Sequence, residues 1–197
     1  LRPHIEAAFA AEQVTIDFAG FSSETLHGAL QEPLDRVREG RTRPRSIRIR
    51  ILVTDLSQPR GLPVRSDTGQ DDPQARARMR RIMLRHTQGI EDLVSELQHL
   101  DLVPQATACT RVHPLVPMGK IYLINRTQAF FGFYPVTEHR VPLGQETARI
   151  HDLMGRDSLL FHHSAGPDPD SVGSQYLAQA HAWFDSLWNS IAWERPQ

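Results

Sequence analysis

The stretch Ile47-Arg48-Ile49-Arg50-Ile51-Leu52-Val53 decides the fold. It alternates apolar and charged residues and then becomes continuously apolar, which is typical of a β-strand entering a protein core. A second β-rich run, residues 14–21, precedes it and is followed by apolar residues at helical spacing. These helical positions are Leu26, Leu30, Leu34 and Val37. Because the return to the next strand is short, this order indicates a parallel βαβ unit.

Three further helices are expected. Residues 3–12 have the spacing of a short helix, and residues 73–102 predict a long one that Gly89 bends. The last helix is expected to begin after Ser171 or Ser174, and Ser22 or Ser23 is expected to cap the helix of the βαβ unit. The segment 55–73, which contains several prolines, glycines and aspartates, predicts a long loop.

The second half of the chain predicts more strands. They are expected at 106–112, 120–125 and 129–134, with one or two more in 148–163. Asn125-Arg126-Thr127-Gln128 has the residues of a hairpin turn. Together the elements predict a single α/β domain over residues 1–197, with a mixed β-sheet flanked by helices.

Composition excludes several classes of protein. The chain has 197 residues and a formal net charge of −1, which argues against a broadly basic surface for nucleic acid. No apolar run reaches the ~20 residues that span a bilayer, so no membrane contact is expected. A single cysteine, Cys109, forms no internal disulfide and fits a cytoplasmic location. Of the 22 basic residues, one is a lysine, Lys120.

Common catalytic and cofactor motifs are missing from the sequence. It has no glycine-rich phosphate loop, no CxxC pair, no HExxH or HxxxH pattern and no GxSxG elbow. His162 and His163 are neighbours on an expected strand and therefore point to opposite faces, which disfavours a shared metal ion. We expect neither a cofactor nor a metal.

Residues 117–125 resemble the signature of the phospholipase D superfamily. That signature is His-x-Lys, four residues and Asp, followed by a turn and a strand ending in glycine. Here Met118, Lys120 and Asn125 hold those three positions, and Gly132 ends the following strand. The upstream order of strands and helices is also similar. The resemblance implies a phospholipase D-like single-motif domain and, because active single-motif members pair two motifs across a two-fold axis, a homodimer.

The departures from this signature predict that the chain is not an enzyme. The thioether of Met118 has no ionisable proton and cannot replace a nucleophilic histidine. Asn125 carries no charge that could orient an imidazolium. Lys120 alone keeps its role, as a contact for phosphate or carboxylate. A chance match of a short motif is the alternative interpretation.

A second resemblance covers most of the chain. Residues 18–26, 122–125 with 130–134, and 182–188 are similar to the C-terminal regions of actinobacterial transcriptional regulators, which carry an N-terminal winged helix-turn-helix, often of the GntR type. The resemblance implies a DNA-binding domain upstream of Leu1, with this part sensing a small molecule, dimerising, or both. Since the sequence begins without an initiator Met, we interpret it as a fragment of such a regulator.

The expected ligand site surrounds Lys120 at the tip of the first strand. The chain after the strand expected at 129–134 is expected to bring Tyr134, Glu138 and Arg140 to the same end of the sheet. An anionic or amphipathic small molecule is the expected ligand. The candidate ligand-binding residues are Lys120, Met118, Asn125, Tyr134, Phe21, Ser22, Glu138 and Arg140.

Each candidate also has a purely structural interpretation. Met118 suits a core filler, Asn125 the start of a turn, Tyr134 packing, and Glu138 with Arg140 an exposed cross-strand pair. Three functions remain open at this point. They are a non-catalytic sensing or dimerisation domain of a transcriptional regulator, a divergent phosphodiesterase or nuclease, and a purely structural dimerisation module.

Overall fold

A computed structural model describes residues 1–155 and 158–195 of the chain. This part is a mixed α/β structure with a mixed sheet and four helices, as the sequence predicts at that level. The helices are α1 (Arg2–Ala8), α2 (Glu24–Arg38), α3 (Pro73–His99) and α4 (Val172–Ser190).

Within residues 1–155 and 158–195, ten strands form two sheets. In chain order they are β1 (Gln13–Gly20), β2 (Ser46–Thr54), β3 (Val64–Arg65), β4 (Gln105–His113), β5 (Gly119–Ile124), β6 (Gln128–Phe133), β7 (Val136–Leu143), β8 (Glu146–Leu153), β9 (Phe161–Ser164) and β10 (Trp193–Glu194). The large sheet has the order β10-β4-β2-β1-β5-β6-β9, and the small sheet has the order β3-β8-β7.

The predicted βαβ unit is confirmed. Strand β2 lies between β1 and β4 and runs parallel to both, with Ile49 opposite Ile16 on β1 and Ala108 on β4. Strand β5 is antiparallel to β1 on its other side. The carboxyl ends of β1, β2 and β4 therefore meet the start of β5 at one edge of the sheet.

Helices cover both faces of the large sheet. Ile16 and Phe18 of β1 pack in the cluster that contains the buried residues of α1, α2 and α3. Ala19, the next residue along β1, packs with Phe184 of α4 on the other face. The alternation follows from the two-residue period of a strand, and it produces a three-layer arrangement.

A buried charge network ties α4 to the sheet. Two nitrogens of Arg50 each donate to one carboxylate oxygen of Asp17 at 2.7 Å, and a third lies 2.8 Å from the carboxylate of Asp185 on α4. The guanidinium carbon also lies 4.7 Å from the ring centre of Phe184. Because Asp17 is buried, this pairing fixes the position of α4 against β1 and β2.

The helix predictions need three corrections. Helix α1 ends at Ala8 rather than at residue 12. Ser23 occupies the N-cap position of α2 but adopts a left-handed conformation, and its hydroxyl donates to the carbonyl of Ser22 instead of accepting from the helix. Helix α3 is continuous, and Gly89 allows close helix packing: a Cβ there would lie 2.8 Å from the ring of His27 on α2.

The strand predictions miss most of the small sheet. Strands β7 and β8 form a hairpin whose inner face packs Val141, Leu143, Ala148 and Ile150 against Ala75 of α3. The expectation of strands within 148–163 holds for parts of β8 and for β9, whereas β7 was not expected. His162 stacks on Phe130 and His163 on Tyr176, so the two histidines do point to opposite faces.

Candidate functional site

The carboxyl edge of the parallel strands is the natural place for a ligand, because open α/β sheets bind ligands where such strands end. Gly20, Thr54 and His113 end β1, β2 and β4 at this edge, and Gly119 begins β5 there. Tyr134, which follows β6, arrives at the same edge. The edge has two faces, one under α2 and α3 and the other under α4.

Lys120 lies on the face of α2 and α3. Side chains alternate along β5, and Tyr122 belongs to the cluster on that face whereas Ile121 belongs to the cluster under α4. Lys120 is 4% exposed, and its ammonium donates to the carbonyl of Gly155. Burial lowers the pKa of Lys120. No carboxylate within ion-pair distance of it is found in residues 1–155 and 158–195.

Tyr134 and Phe21 meet next to Lys120. The backbone N–H of Phe21 donates to the hydroxyl of Tyr134 at 3.2 Å, and burial raises the pKa of that hydroxyl. Glycines make room for the tyrosine on both sides. A Cβ on Gly20 would lie 2.7 Å from the Tyr134 hydroxyl, and one on Gly155 would lie 2.8 Å from its ring.

The structure thus brings three of the candidate ligand residues together, Lys120, Tyr134 and Phe21, and Ser22 is the chain neighbour of Phe21. Their bonds go to Gly155 and between Phe21 and Tyr134, and the carbonyl of Ser22 accepts from Ser23. This arrangement positions the segment after β8 against the end of β1. Because Lys120 is 4% exposed and its ammonium already donates to Gly155, the structure offers it as a structural contact rather than as an open anion site.

Asn125 lies at the opposite end of β5 and does not join this group. Five residues of strand separate it from Lys120, about 17 Å at ~3.3 Å per residue. Its side-chain oxygen accepts from the N–H of Thr15 at 2.8 Å, and its amide donates to the carbonyl of Ala8 at 3.1 Å. Asn125 and Arg126 both have positive φ, as a tight hairpin turn requires. Its observed role is that of a turn residue which ties α1 and β1 to β5.

Glu138 and Arg140 also lie elsewhere, and the expectation that they follow β6 to the rim is wrong. After Phe133 the chain leaves the large sheet and enters β7 of the small sheet. Arg140 stands directly opposite Arg149 on β8, and a carboxylate oxygen of Glu138 lies 3.5 Å from the Arg149 guanidinium. These side chains are exposed on the small sheet.

Met118 marks a groove on the other face of the same edge. Its side chain is 83% exposed, so it is not a core filler. The groove, called the apolar groove below, has a volume of about 480 Å³. It lies between α4 and the 113–119 segment, over a floor of β-sheet side chains. Its residues are Ala19, Gly20, His113, Leu115, Val116, Pro117, Met118, Gly119, Ile121, Phe131, Tyr176, Gln179, Ala180, Trp183 and Leu187.

Hydrogen bonds hold the wall of the apolar groove that follows β4. The hydroxyl of Thr54 donates to the carbonyl of Leu115 at 2.8 Å, and the N–H of Asp55 donates to the carbonyl of His113 at 2.8 Å. The N–H of Leu115 donates to Nδ1 of His113 at 3.2 Å. These bonds anchor the wall to the end of β2, so the groove is formed without a ligand.

His113 is the buried polar side chain of the apolar groove. It is 4% exposed, and burial lowers its pKa from 6.5 to about 4, so the ring is neutral near pH ~7. Because Nδ1 accepts a hydrogen bond, the proton of the neutral ring is assigned to Nε2. No acceptor for Nε2–H is found among the residues that the structure describes, and Nε2 is not one of their fully buried unpartnered side-chain atoms.

Sequence reasoning missed the apolar groove apart from Met118. Its two walls come from residues 113–119 and from α4, about sixty residues apart, and no short motif joins them. One signal was present: Leu115, Val116 and Met118 make the connection from β4 to β5 unusually apolar for a loop.

The described ranges hold no group of three or more metal-ligating side chains, and none of their helices is long and apolar enough to cross a membrane. Compared with protein-family models and with curated proteins, the chain matches none. The fold and site therefore define a mixed α/β protein with a preformed apolar groove at the carboxyl edge of its sheet.

Proposed function

We propose that the chain is a non-catalytic ligand-sensing domain of a cytoplasmic bacterial transcriptional regulator and that it acts as a homodimer. The observation that carries the proposal is the apolar groove. Its volume of about 480 Å³ falls within the ~300–1,000 Å³ typical of small-molecule sites. It lies at the sheet edge where α/β proteins bind their ligands.

The phospholipase D-like arrangement is part of this proposal, with a site that has lost its chemistry. Met118 at the nucleophile position is solvent-exposed and has no basic nitrogen. Lys120 is engaged by a backbone carbonyl, and Asn125 bonds to backbone groups at the far end of β5. These contacts favour a structural use of the motif over phosphodiester cleavage.

Helix α4 offers a route from ligand to dimer. Phe184 and Trp188 are buried within the chain, whereas Trp183 lies 47% exposed on the rim of the apolar groove. A ligand that contacts Trp183 changes the surface available to a second copy. A ligand that prefers one dimer geometry shifts the population toward it and so alters the DNA affinity of an attached winged helix-turn-helix.

Two measurements test the function. Native mass spectrometry of freshly purified chain is expected to show a dimer carrying a small molecule that denaturation releases. A hydrolysis assay with bis(p-nitrophenyl) phosphate is expected to show no turnover for the wild type or for Lys120→Ala. Turnover that Lys120→Ala abolishes would establish the alternative, a divergent phosphodiesterase.

The third function, a structural dimerisation module, predicts a different outcome. Such a module gives a dimer without a bound molecule and no thermal shift with any of a broad set of neutral and anionic metabolites. Thermal stabilisation by at least one metabolite, lost in Trp183→Ala and kept in Trp193→Ala, supports the sensing function. Trp193 is a matched control because it is 40% exposed and does not line the apolar groove.

A further inference from the structure

We propose that the apolar groove takes an uncharged aromatic molecule with one hydrogen-bond acceptor, such as a ketone oxygen, which Nε2–H of His113 holds. This inference rests on the proposed function and names the class of ligand. It replaces the anionic ligand that the sequence suggests, because Lys120 and the groove lie on opposite faces of the sheet.

The lining of the groove selects against charge. None of its residues carries a formal charge near pH ~7, and its polar side-chain atoms belong to His113, Gln179 and two aromatic residues of α4, Tyr176 and Trp183. Moving a carboxylate or phosphate into this lining strips its water without supplying a cation. A neutral ligand avoids that cost.

The aromatic residues favour an aromatic body. Phe131 of β6 lies in the floor, and Tyr176 and Trp183 come from α4. Rings gain by edge-to-face or offset contact with such side chains beyond the area that they bury. Leu115 is 49% and Trp183 is 47% exposed, so the free groove leaves apolar surface in water that such a ligand would cover.

His113 supplies a directional contact that its wall holds in place. It is more than nine-tenths buried, and its Nδ1 is already occupied by the N–H of Leu115. Its remaining N–H is therefore the free donor of a ring that the wall holds in place, and Nε2 is not among the fully buried unpartnered atoms of the described residues, so a ligand acceptor there replaces water. A single acceptor on the ligand satisfies it.

Isothermal titration calorimetry on the purified chain tests this class with three matched probes. They are 2-acetylnaphthalene, 2-isopropenylnaphthalene, in which a CH2 group replaces the carbonyl oxygen on the same trigonal carbon, and 2-naphthoate, which is charged. We expect 2-acetylnaphthalene to bind tightest and the loss of its oxygen to weaken binding roughly threefold to tenfold, the worth of one hydrogen bond.

Two substitutions separate the nitrogens of His113. His113→Asn keeps an acceptor where Nδ1 stands but has no N–H at the Nε2 position, and it is expected to remove the preference for 2-acetylnaphthalene. His113→Gln retains an N–H near the Nε2 position and is expected to keep that preference. Trp183→Ala is expected to weaken both neutral probes, and Trp193→Ala neither.

Several outcomes would overturn the inference. Equal binding of the two neutral probes would remove the role of His113 while leaving a ligand-binding groove and the proposed function in place. Tightest binding of 2-naphthoate would restore an anion site. Failure of all three probes, or binding that weakens as the protein concentration rises, would indicate that a second copy covers the groove. The proposed function is then judged by native mass spectrometry alone.

Discussion

The protonation of His113 gives the sharpest prediction for the site. Burial lowers its pKa from 6.5 to about 4. Between these two values the unfolded chain binds a proton that the folded chain does not, so the free energy of unfolding falls as the pH falls. At about 1.4 kcal/mol per pKa unit, the folded state is expected to lose about 3 kcal/mol between pH ~7 and pH ~4 relative to a variant without the imidazole.

His113→Asn is the reference variant, because its side-chain oxygen can still accept from the N–H of Leu115. Urea denaturation followed by tryptophan fluorescence at a series of pH values gives the free energy of unfolding for both proteins. Other titrating groups, such as Asp152, are common to both and cancel in the difference. A difference that stays constant from pH ~7 to pH ~4 would refute the lowered pKa of His113 and with it the burial of its ring.

Three further predictions concern the frame of the site. Asn125→Ala is expected to lower the free energy of unfolding by about 2–4 kcal/mol, since it removes two hydrogen bonds and leaves alanine at positive φ; a loss below about 1 kcal/mol in denaturant would contradict the bonding to α1 and β1. Gly20→Ala is expected to cost about 1–3 kcal/mol, because its Cβ would lie 2.6 Å from the Phe18 ring and 2.7 Å from the Tyr134 hydroxyl; thermal unfolding at the wild-type temperature would show that neither contact is real. Burial raises the pKa of Asp152 from 3.8 to about 6, so the folded wild type loses stability as the pH rises through this range. The free energy of unfolding of Asp152→Asn is expected to rise relative to wild type by about 3 kcal/mol between pH ~3.5 and pH ~7, and equal pH profiles in denaturant would contradict this.

The large sheet was predictable because its signals are local. The alternation in 47–53 and the helical spacing before it are properties of neighbouring residues. The structure has a strand, β2, and a helix, α2, at these positions, as the sequence predicts. The hairpin at Asn125 was equally local. Its residues tolerate the positive φ that the turn requires.

The sequence did not predict β7 of the small sheet because this strand contains residues that usually exclude strands. Pro142 lies inside β7, and prolines are normally confined to edge strands, where β7 indeed lies. Inward-facing polar residues also weaken the pattern. Thr137 and His139 have buried polar atoms on β7 where an apolar residue would have marked the strand.

The sequence predicted the neighbours of Lys120 but not the apolar groove, because only the first depends on the order of elements along the chain. Composition singled out Lys120, and the order of elements placed it beside Phe21 and Tyr134. Which face its side chain takes depends on the register of β5 against β1, and that register is set by contacts across the sheet. The pairing of His113 with Trp183 depends on how α4 packs, which no local pattern encodes.

Nuclear magnetic resonance of the chain titrated with 2-acetylnaphthalene tests whether the apolar groove is the ligand site. We expect the shift changes to concentrate on the Met118 methyl, the Leu115 methyls and the Trp183 indole N–H, all of which belong to residues that line the apolar groove. The indole N–H of Trp193 serves as the internal control and is expected to stay unshifted. Saturating changes centred instead on Arg140 and Arg149 of the small sheet, or none anywhere at saturation of the probe, would contradict the assignment of this groove as the ligand site.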